Sequence, residues 1–483
     1  MDTEQSNQRA ADVEKAAASS QLTQLATDKA PTTGGHDVDP MANRVEDGVE
    51  YQSMTWWQAG MVMVAETISL GILSLPQAMS TVGAVPGLIL LLFFGAFASY
   101  SGLVIGQFKL QHPHVHSMGC AGQVLFGKWG GIVIGCAQFL FYIFVMGSHI
   151  LTFAICMNTI TGHGACTIVW MMLGTALSLV CTLPRTLKHL SYFSMASFVS
   201  IIGAVMVTMV AVGISKPAMQ AAKLSGGGGD GALSFRLWPS DDVTFVQGFL
   251  AVSNIVFAYA GHPAFFTFIS ELKNPRDFPK ALAFLQISDI SMYVIAAIVI
   301  YYFAGDSVAS PALNSAKPVV AKVAWGVAIP TIIVAGVVNG HVGVKYLYVR
   351  CLRDRDDDLM HQKTWRSRAI WIGMATLSWL AAWFIAEVVP VFNDMLGITS
   401  ALFASWFTFG LSGIFWFSMN FERREIWYHV RSRGSWSWKK TILLLVNLVL
   451  IAMACILCVV GLYASISSIK EHGATKKPFS CSA

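Results

Sequence analysis

Apolar runs of about 20 residues or more recur along the chain, separated by short polar stretches, which is the pattern of α-helices that cross a bilayer. The pattern predicts about eleven spans, near 57–79, 84–108, 131–159, 165–183, 191–214, 243–269, 281–304, 319–348, 369–390, 395–418 and 441–466. A helix satisfies its backbone hydrogen bonds within one segment, which is what hydrocarbon demands of a spanning chain. The expected fold class is therefore all-α, a polytopic membrane protein with about eleven transmembrane helices. Three regions follow from the same pattern. Residues 1–55 are rich in acidic side chains and poor in large apolar ones, and read as a disordered cytoplasmic tail. Residues 56–466 form the transmembrane domain, and residues 467–483 a short extracellular C-terminal tail.

Composition narrows the class further. Hydrophobic residues make up 55% of the chain and charged residues 12%, against the roughly 25% charged residues of a soluble domain. The net charge of +5 is modest, and no basic block is interleaved with aromatics, so nucleic acid is excluded as a partner and the bilayer is the expected one. The 9 cysteines lack CxxC spacing and read mostly as small buried hydrophobes. Cys156 and Cys166 flank a short external loop and are the one pair placed to form a disulfide. The first 50 residues hold no apolar core of a cleavable signal peptide, so the first span is expected to act as its own signal.

Orientation follows from charge. The 32 Lys and Arg fall roughly threefold in favour of the loops on the N-terminal side, loop after loop, which places the N-terminus in the cytoplasm. An odd number of spans then puts the C-terminus outside. Gly226 to Gly229 read as a flexible external loop, and Ser240, Asp241 and Asp242 as N-cap residues opening the sixth span.

Gly and Pro inside a span are tolerated only where the freed backbone groups face protein, water or a ligand. The first span carries Ser69-Leu70-Gly71-Ile72-Leu73-Ser74-Leu75-Pro76, and the sixth carries Phe257-Ala258-Tyr259-Ala260-Gly261-His262-Pro263. Spans one and six are corresponding members of two five-span halves. Paired interruptions at such places point to a midplane binding site in a transporter built from inverted repeats, with helices one and six broken.

These residues also resemble a known family. The stretch from Glu66 to Pro76 is similar to the first-helix signature of the amino acid/auxin permease family. The stretch Phe257 to Pro263, continued through Glu271-Leu272-Lys273-Asn274-Pro275-Arg276-Asp277-Phe278-Pro279-Lys280-Ala281-Leu282, resembles that family's sixth helix and following inner loop. The likeness extends over roughly residues 50 to 466 and is nearest in character to fungal neutral amino acid permeases. It implies a LeuT-type fold of five plus five spans, an amino acid transporter domain over 56–466, and secondary active uptake of neutral L-amino acids, with the plasma membrane as the expected location. Ser69 departs from the pattern, standing where the family commonly has a glycine.

Candidate residues follow from the interruptions. Amides around Ser69, Leu70, Gly71 and Ile72 are expected to cradle a substrate carboxylate, and carbonyls near Phe257, Ala258, Tyr259 and Ala260 to accept from its ammonium. Phe257, Tyr259 and Tyr142 would shape the side-chain pocket. The pocket positions offer no obvious charged residue, which favours neutral substrates. Glu66 lies among apolar residues of the first span, where burial favours the uncharged carboxyl and lets it carry a proton. His262 and His341 are the other proton-coupling candidates. His149 is expected to pack and bond a backbone carbonyl, and Asp289 to pair within the bundle. Pro275 and Pro279 end helices, while Lys273, Arg276 and Lys280 hold the inner loop on the cytoplasmic face.

No cofactor is expected beyond a coupling ion. In folds of this type sodium sits between unwound first-span carbonyls and paired hydroxyls on span eight; here span eight offers Thr331 alone, which favours the proton. A sodium-coupled carrier and a sensor that binds amino acid without net flux are the alternatives. An enzyme is not expected, because Asn339 with His341 comes with no nucleophile or coenzyme motif.

Overall fold

A computed structural model describes residues 52–185, 187–225, 235–352, 364–421, 438–472 and 478–481. The acidic tail up to residue 51 and the loop of Gly226 to Gly229 lie outside the described residues. The helices are α1 (Trp56–Val82), α2 (Ala84–Gln111), α3 (Met118–Thr161), α4 (Thr167–Thr182), α5 (Leu187–Ser225), α6 (Phe245–Phe257) and α7 (Phe265–Glu271). They continue as α8 (Phe278–Ala304), α9 (Pro318–Leu352), α10 (Trp365–Val388), α11 (Phe392–Thr399), α12 (Leu411–Asn420) and α13 (Trp438–His472). The pair α6 and α7 shares the sixth span. The pair α11 and α12 shares the tenth, joined by a π-helical stretch over Ser400–Gly410. Among the described residues, ten helical spans are long and apolar enough to cross a membrane, and α4, with 16 residues, is a shorter apolar helix between the third and the fifth.

Burial follows the apolar pattern in the way lipid requires. The first helix is buried along almost its whole length and packs on α8, α6, α5 and α9. At the other extreme, Leu445, Ile456 and Val459 of α13 are exposed, as aliphatic side chains at a lipid boundary should be. With hydrocarbon outside, helices gain little from hiding Leu or Val and associate through close packing at small residues. Gly336 is one such place: a Cβ there would lie 3.0 Å from the Cβ of His149.

The sequence reading needs correcting at three points. The break expected in the first span is not present, since α1 runs unbroken through Ser69, Gly71 and Pro76. Both Ser and Gly accept helical geometry, and the donor lost and the crowding of the preceding turn at Pro76 are absorbed without unwinding the helix. Ser74 Oγ caps the Gly71 carbonyl at 2.9 Å, and protein surrounds this stretch, so nothing forces unwinding. Gly71 instead permits contact: a Cβ at this position would lie 2.7 Å from the Ala258 Cα, so the first span's glycine makes room for the sixth span's break. The second point is the start of the sixth span, which is Thr244 and not Ser240 to Asp242. Thr244 and Gln247 form a reciprocal capping box, with bonds of 3.3 and 3.1 Å. Thr55 and Gln58 open α1 with the same Thr-x-x-Gln spacing, a local echo between the two halves.

The third point is the disulfide. Cys166 pairs with Cys481, while Cys156 remains free and buried with its Sγ 3.6 Å from the Trp325 carbonyl. Cys156 faces α9 from within the bundle, whereas Cys166 stands at the loop that opens α4. Phe479 packs beside Trp383 and Phe384 of α10, so residues 478–481 lie at the same end of the bundle as the loop between α3 and α4. The last helix reaches His472, beyond the boundary expected at 466.

The other end is held by a buried ion pair. Glu271, ending α7, pairs with Lys345 of α9, and both side chains are almost wholly excluded from solvent. The Glu271 carbonyl accepts from the amides of Ser53 and Met54 at 3.1 and 3.0 Å, and the Lys273 amide donates to the Met54 carbonyl at 2.8 Å. The entry to α1 is thereby stitched to the inner loop. Removing one partner of a buried pair strands the other charge, at a cost of about 3–5 kcal/mol. Lys345→Ala should therefore lower the thermal unfolding midpoint in detergent, and Glu271→Leu with Lys345→Met should recover part of that loss. Gly71→Val should destabilise by overpacking against Ala258, whereas a Gly71→Val protein as stable as wild type would contradict the close approach.

Candidate functional site

The sixth span breaks because its sequence forbids a continuous helix. Pro263 lacks an N–H and its ring obstructs the preceding turn. The chain tightens at once, with the Tyr259 amide donating to the Val256 carbonyl (3.1 Å) and the Ala260 amide to the Phe257 carbonyl (3.0 Å). Residues His262–Ala264 make one 3₁₀ turn before α7 begins. Gly261 stands where the break meets α1. A Cβ there would come within 2.6 Å of the Thr67 side chain and 3.2 Å of Glu66 Oε2.

Side chains from neighbouring helices satisfy the carbonyls freed by the break. Tyr293 of α8 donates its hydroxyl to the Ala258 carbonyl at 2.8 Å. Gln138 of α3 donates to the Pro263 carbonyl at 3.0 Å. The Tyr259 carbonyl lies 3.1 Å from His262 Nδ1, and His262 Nε2 lies 2.9 Å from both Ser101 Oγ and the Ala98 carbonyl of α2. Tyr259 donates its own hydroxyl to the Leu91 carbonyl at 2.9 Å. The interruption is thus a built feature, held from three sides.

Beside it lies a cavity of about 20 Å³, room for about one water molecule. Glu66, Thr67 and Leu70 of α1 line it, with Phe141, Val145 and His149 of α3, Phe257, Ala260 and Gly261 of the broken span, and Asn339 of α9. Its walls are apolar and aromatic, and its polar atoms are mainly acceptors. Glu66 Oε2 is buried with no hydrogen-bond partner, and so is Asn339 Oδ1, whose amide nitrogen donates to the Ala335 carbonyl at 3.1 Å. His149 Nδ1 lies 2.9 Å from the Ile332 carbonyl; donation there leaves the neutral ring's Nε2 as an acceptor. Among the described residues no Lys or Arg lines the cavity. An acceptor-rich, apolar-walled space suits a cationic donor such as an ammonium group beside an apolar side chain.

Of the residues singled out in the sequence, Glu66, Leu70, Phe257 and Ala260 meet at this cavity. Ser69, Gly71 and Ile72 lie in the continuous part of α1, where their amides run along the helix axis. Ala258 and Tyr259 support the break through the bonds above. Tyr142 is buried behind the wall, its hydroxyl 3.4 Å from Gln138 Nε2. His262 braces the break against α2, and His341 is buried against Trp371, with ring centroids 5.2 Å apart. Thr67, Phe141, Val145, Gly261 and Asn339 were not singled out as lining residues, and His149, expected to pack and bond a backbone carbonyl, does bond that of Ile332 while also lining the cavity. The spacing of Phe141, Val145 and His149, four residues apart, puts them on one helical face and was the available signal.

The fold and the sequence both have relatives. The structure resembles Mhp1, a nucleobase-cation-symport-1 family transporter solved in a closed conformation with bromovinylhydantoin, with TM-score 0.53 and 15% identity over 93% of this chain and 97% of that one. It also resembles MhsT in complex with L-phenylalanine, with TM-score 0.56 and 14% identity over 85% of this chain and 99% of that one. These likenesses establish a LeuT-type fold. In sequence, the chain is 35% identical over 453 residues to the N amino acid transport system protein of Neurospora crassa, covering 93% of this chain and 92% of the relative. A transmembrane transporter of Gibberella moniliformis is 28% identical over 441 residues, covering 90% and 89%. The family described as transmembrane amino acid transporter protein matches residues 52–467. Bundle, broken span and sequence agree: the chain is an integral membrane protein, not an enzyme, and belongs to the transmembrane amino acid transporter family.

Proposed function

We propose that the protein takes up neutral L-amino acids across the plasma membrane by proton symport, through alternating access to the cavity at the sixth-span break. One observation carries this reading: the Glu66 carboxyl enters an apolar-walled cavity where no Lys or Arg, among the described residues, balances it. Burying a lone charge is costly, and taking up a proton removes that cost. With Glu66 neutral, the cavity carries no net charge, and Leu70, Phe141, Val145 and Phe257 meet an uncharged side chain. A charged substrate side chain would find no counter-charge there. The Neurospora relative's name and the L-phenylalanine bound to MhsT agree with an amino acid of this class.

Two features favour the proton over sodium. A hard cation needs several converging oxygens. The α1 carbonyls are committed along an unbroken helix, and the Thr331 hydroxyl of α9 is bonded to the Ser197 carbonyl of α5. Alternating access follows from size, because the cavity must widen to hold an amino acid. A larger polar cavity of about 240 Å³, lined by Asn158, His163, Ser310 and Asn393 among others, offers the approach from the end of the bundle that carries Cys166. The Glu271–Lys345 pair closes the opposite end. With the basic loops cytoplasmic, the N-terminus is inside and the disulfide-tethered C-terminus outside.

Radiolabelled neutral amino acid uptake into proteoliposomes, with and without an inside-alkaline pH gradient, tests the reading. Wild-type protein should accumulate substrate against its gradient only when the pH gradient is imposed. Binding without uptake would instead indicate a sensor. Glu66→Gln should lose gradient-driven accumulation by about tenfold or more while still exchanging substrate; accumulation at the wild-type level would remove Glu66 from the proton path. Gly261→Val pushes methyl groups toward Thr67 and Glu66 and should weaken equilibrium substrate binding by about tenfold, with correctly folded protein still recovered.

A further inference from the structure

A second carboxyl, that of Asp289 on α8, lies on the far side of Thr67 from the cavity. The residue is 1% exposed, Oδ1 is 3.2 Å from Thr67 Oγ1, and Oδ2 has no hydrogen-bond partner. Thr67 Oγ1 is also 3.0 Å from the Met63 carbonyl. A hydroxyl carries one proton and cannot donate fully to both oxygens. If it donates to Met63, as a threonine in a helix does, the contact with Asp289 is completed by a proton on Asp289. If Asp289 is ionised, the hydroxyl turns toward it and the Met63 carbonyl loses its side-chain donor.

The surroundings provide no counter-charge. The titratable groups facing Asp289 are Glu66 from α1, Tyr259 from the break and Tyr293 from its own helix. Among the described residues, α2 and α5, which also pack on α8, bring no charged group to it. Tyr293 is already committed, its hydroxyl lying 2.8 Å from the Ala258 carbonyl and 3.0 Å from the Thr67 carbonyl. Two carboxyls therefore sit in one low-dielectric region, Asp289 in contact with the Thr67 hydroxyl and Glu66 the residue before it in the chain, with no Lys or Arg among the described residues opposing them.

We propose that Asp289 is a second proton-carrying site, held against Thr67 next to Glu66, and that it moves one proton inward in each transport cycle. This rests on the proton-symport reading. In the outward-open form a proton from external water bonds to an Asp289 carboxylate oxygen. In the inward-open form that O–H bond breaks, the proton passes to internal water, and the carboxylate is regenerated. Thr67, which lines the cavity, provides the route: its hydroxyl orientation reports the state of Asp289 to α1.

The number of protons moved per amino acid, read from reversal potentials in proteoliposomes, tests the proposal. Asp289→Asn should lower that number by about one, Asp289→Glu should keep the wild-type value, and equilibrium binding of the amino acid to Asp289→Asn should stay within about threefold of wild type. An unchanged proton number in Asp289→Asn overturns the inference. Should that variant fail to fold, Thr67→Val decides: loss of the hydroxyl should move the pH of half-maximal uptake by about half a unit or more toward alkaline values, and an unmoved profile overturns the inference. Wild-type protein without any pH-driven accumulation would remove the symport reading itself; wild-type coupling with an unaltered Asp289→Asn ratio would remove only this assignment.

Discussion

Within hydrocarbon, a backbone polar group without a partner is too costly to persist, and the sixth span is where this constraint shapes the rest of the bundle. Pro263 and the turn before it release carbonyls that lipid cannot serve. Tyr293 from α8 and Gln138 from α3 serve two of them, and His262, anchored on α2, stands beside a third. Tyr293 and Gln138 reach the break from two different helices, and His262 reaches out of it to α2, so the break fixes how α2, α3 and α8 stand around it. The cavity is the gap left on the one side where α1 approaches, and Gly71 and Gly261 set how near it comes.

The same constraint explains the charges. The buried ionisable groups fall into two kinds. Glu271 and Lys345 pair at the end of the bundle away from Cys166 and hold the loop after α7 against the start of α1, a structural use of opposite charges. Glu66 and Asp289 face no Lys or Arg in the described part of the bundle and flank a single threonine. A pair of opposite charges locks; a pair of unopposed carboxyls can be switched by protons. Their positions agree with those roles, the locked pair at an end and, of the switchable pair, Glu66 at the cavity with Asp289 behind Thr67.

Much of this was legible in the sequence because bilayer physics leaves strong marks. The spans, their number, the inward bias of Lys and Arg and the interruption at Gly261 and Pro263 are all consequences of hydropathy or of missing donors. Glu66, Leu70, Phe257 and Ala260, which line the cavity, were singled out by the rule that polar or interrupted stretches mark candidate sites. The continuity of α1 was not legible, because Ser69, Gly71 and Pro76 permit a break without requiring one, and packing against Ala258 decides. The Cys166–Cys481 pairing depends on where the chain's end returns, which local spacing does not encode. His149 and Asn339 join the cavity through the angle at which α3 and α9 cross α1, a tertiary property. Phe141, Val145 and His149 did carry a readable stripe, but in a helix apolar on every face such a stripe has little contrast.

The central claim is that a proton and an amino acid meet at the break, with Glu66 as their shared contact. Calorimetric titration of purified protein with a neutral amino acid, repeated in buffers of different ionisation enthalpy, counts the protons exchanged on binding. Substrate binding near neutral pH should take up protons in the wild type, by an amount that shrinks in Glu66→Gln. Binding heats that are identical in every buffer across the pH range would mean that the two events are unlinked and would contradict the claim.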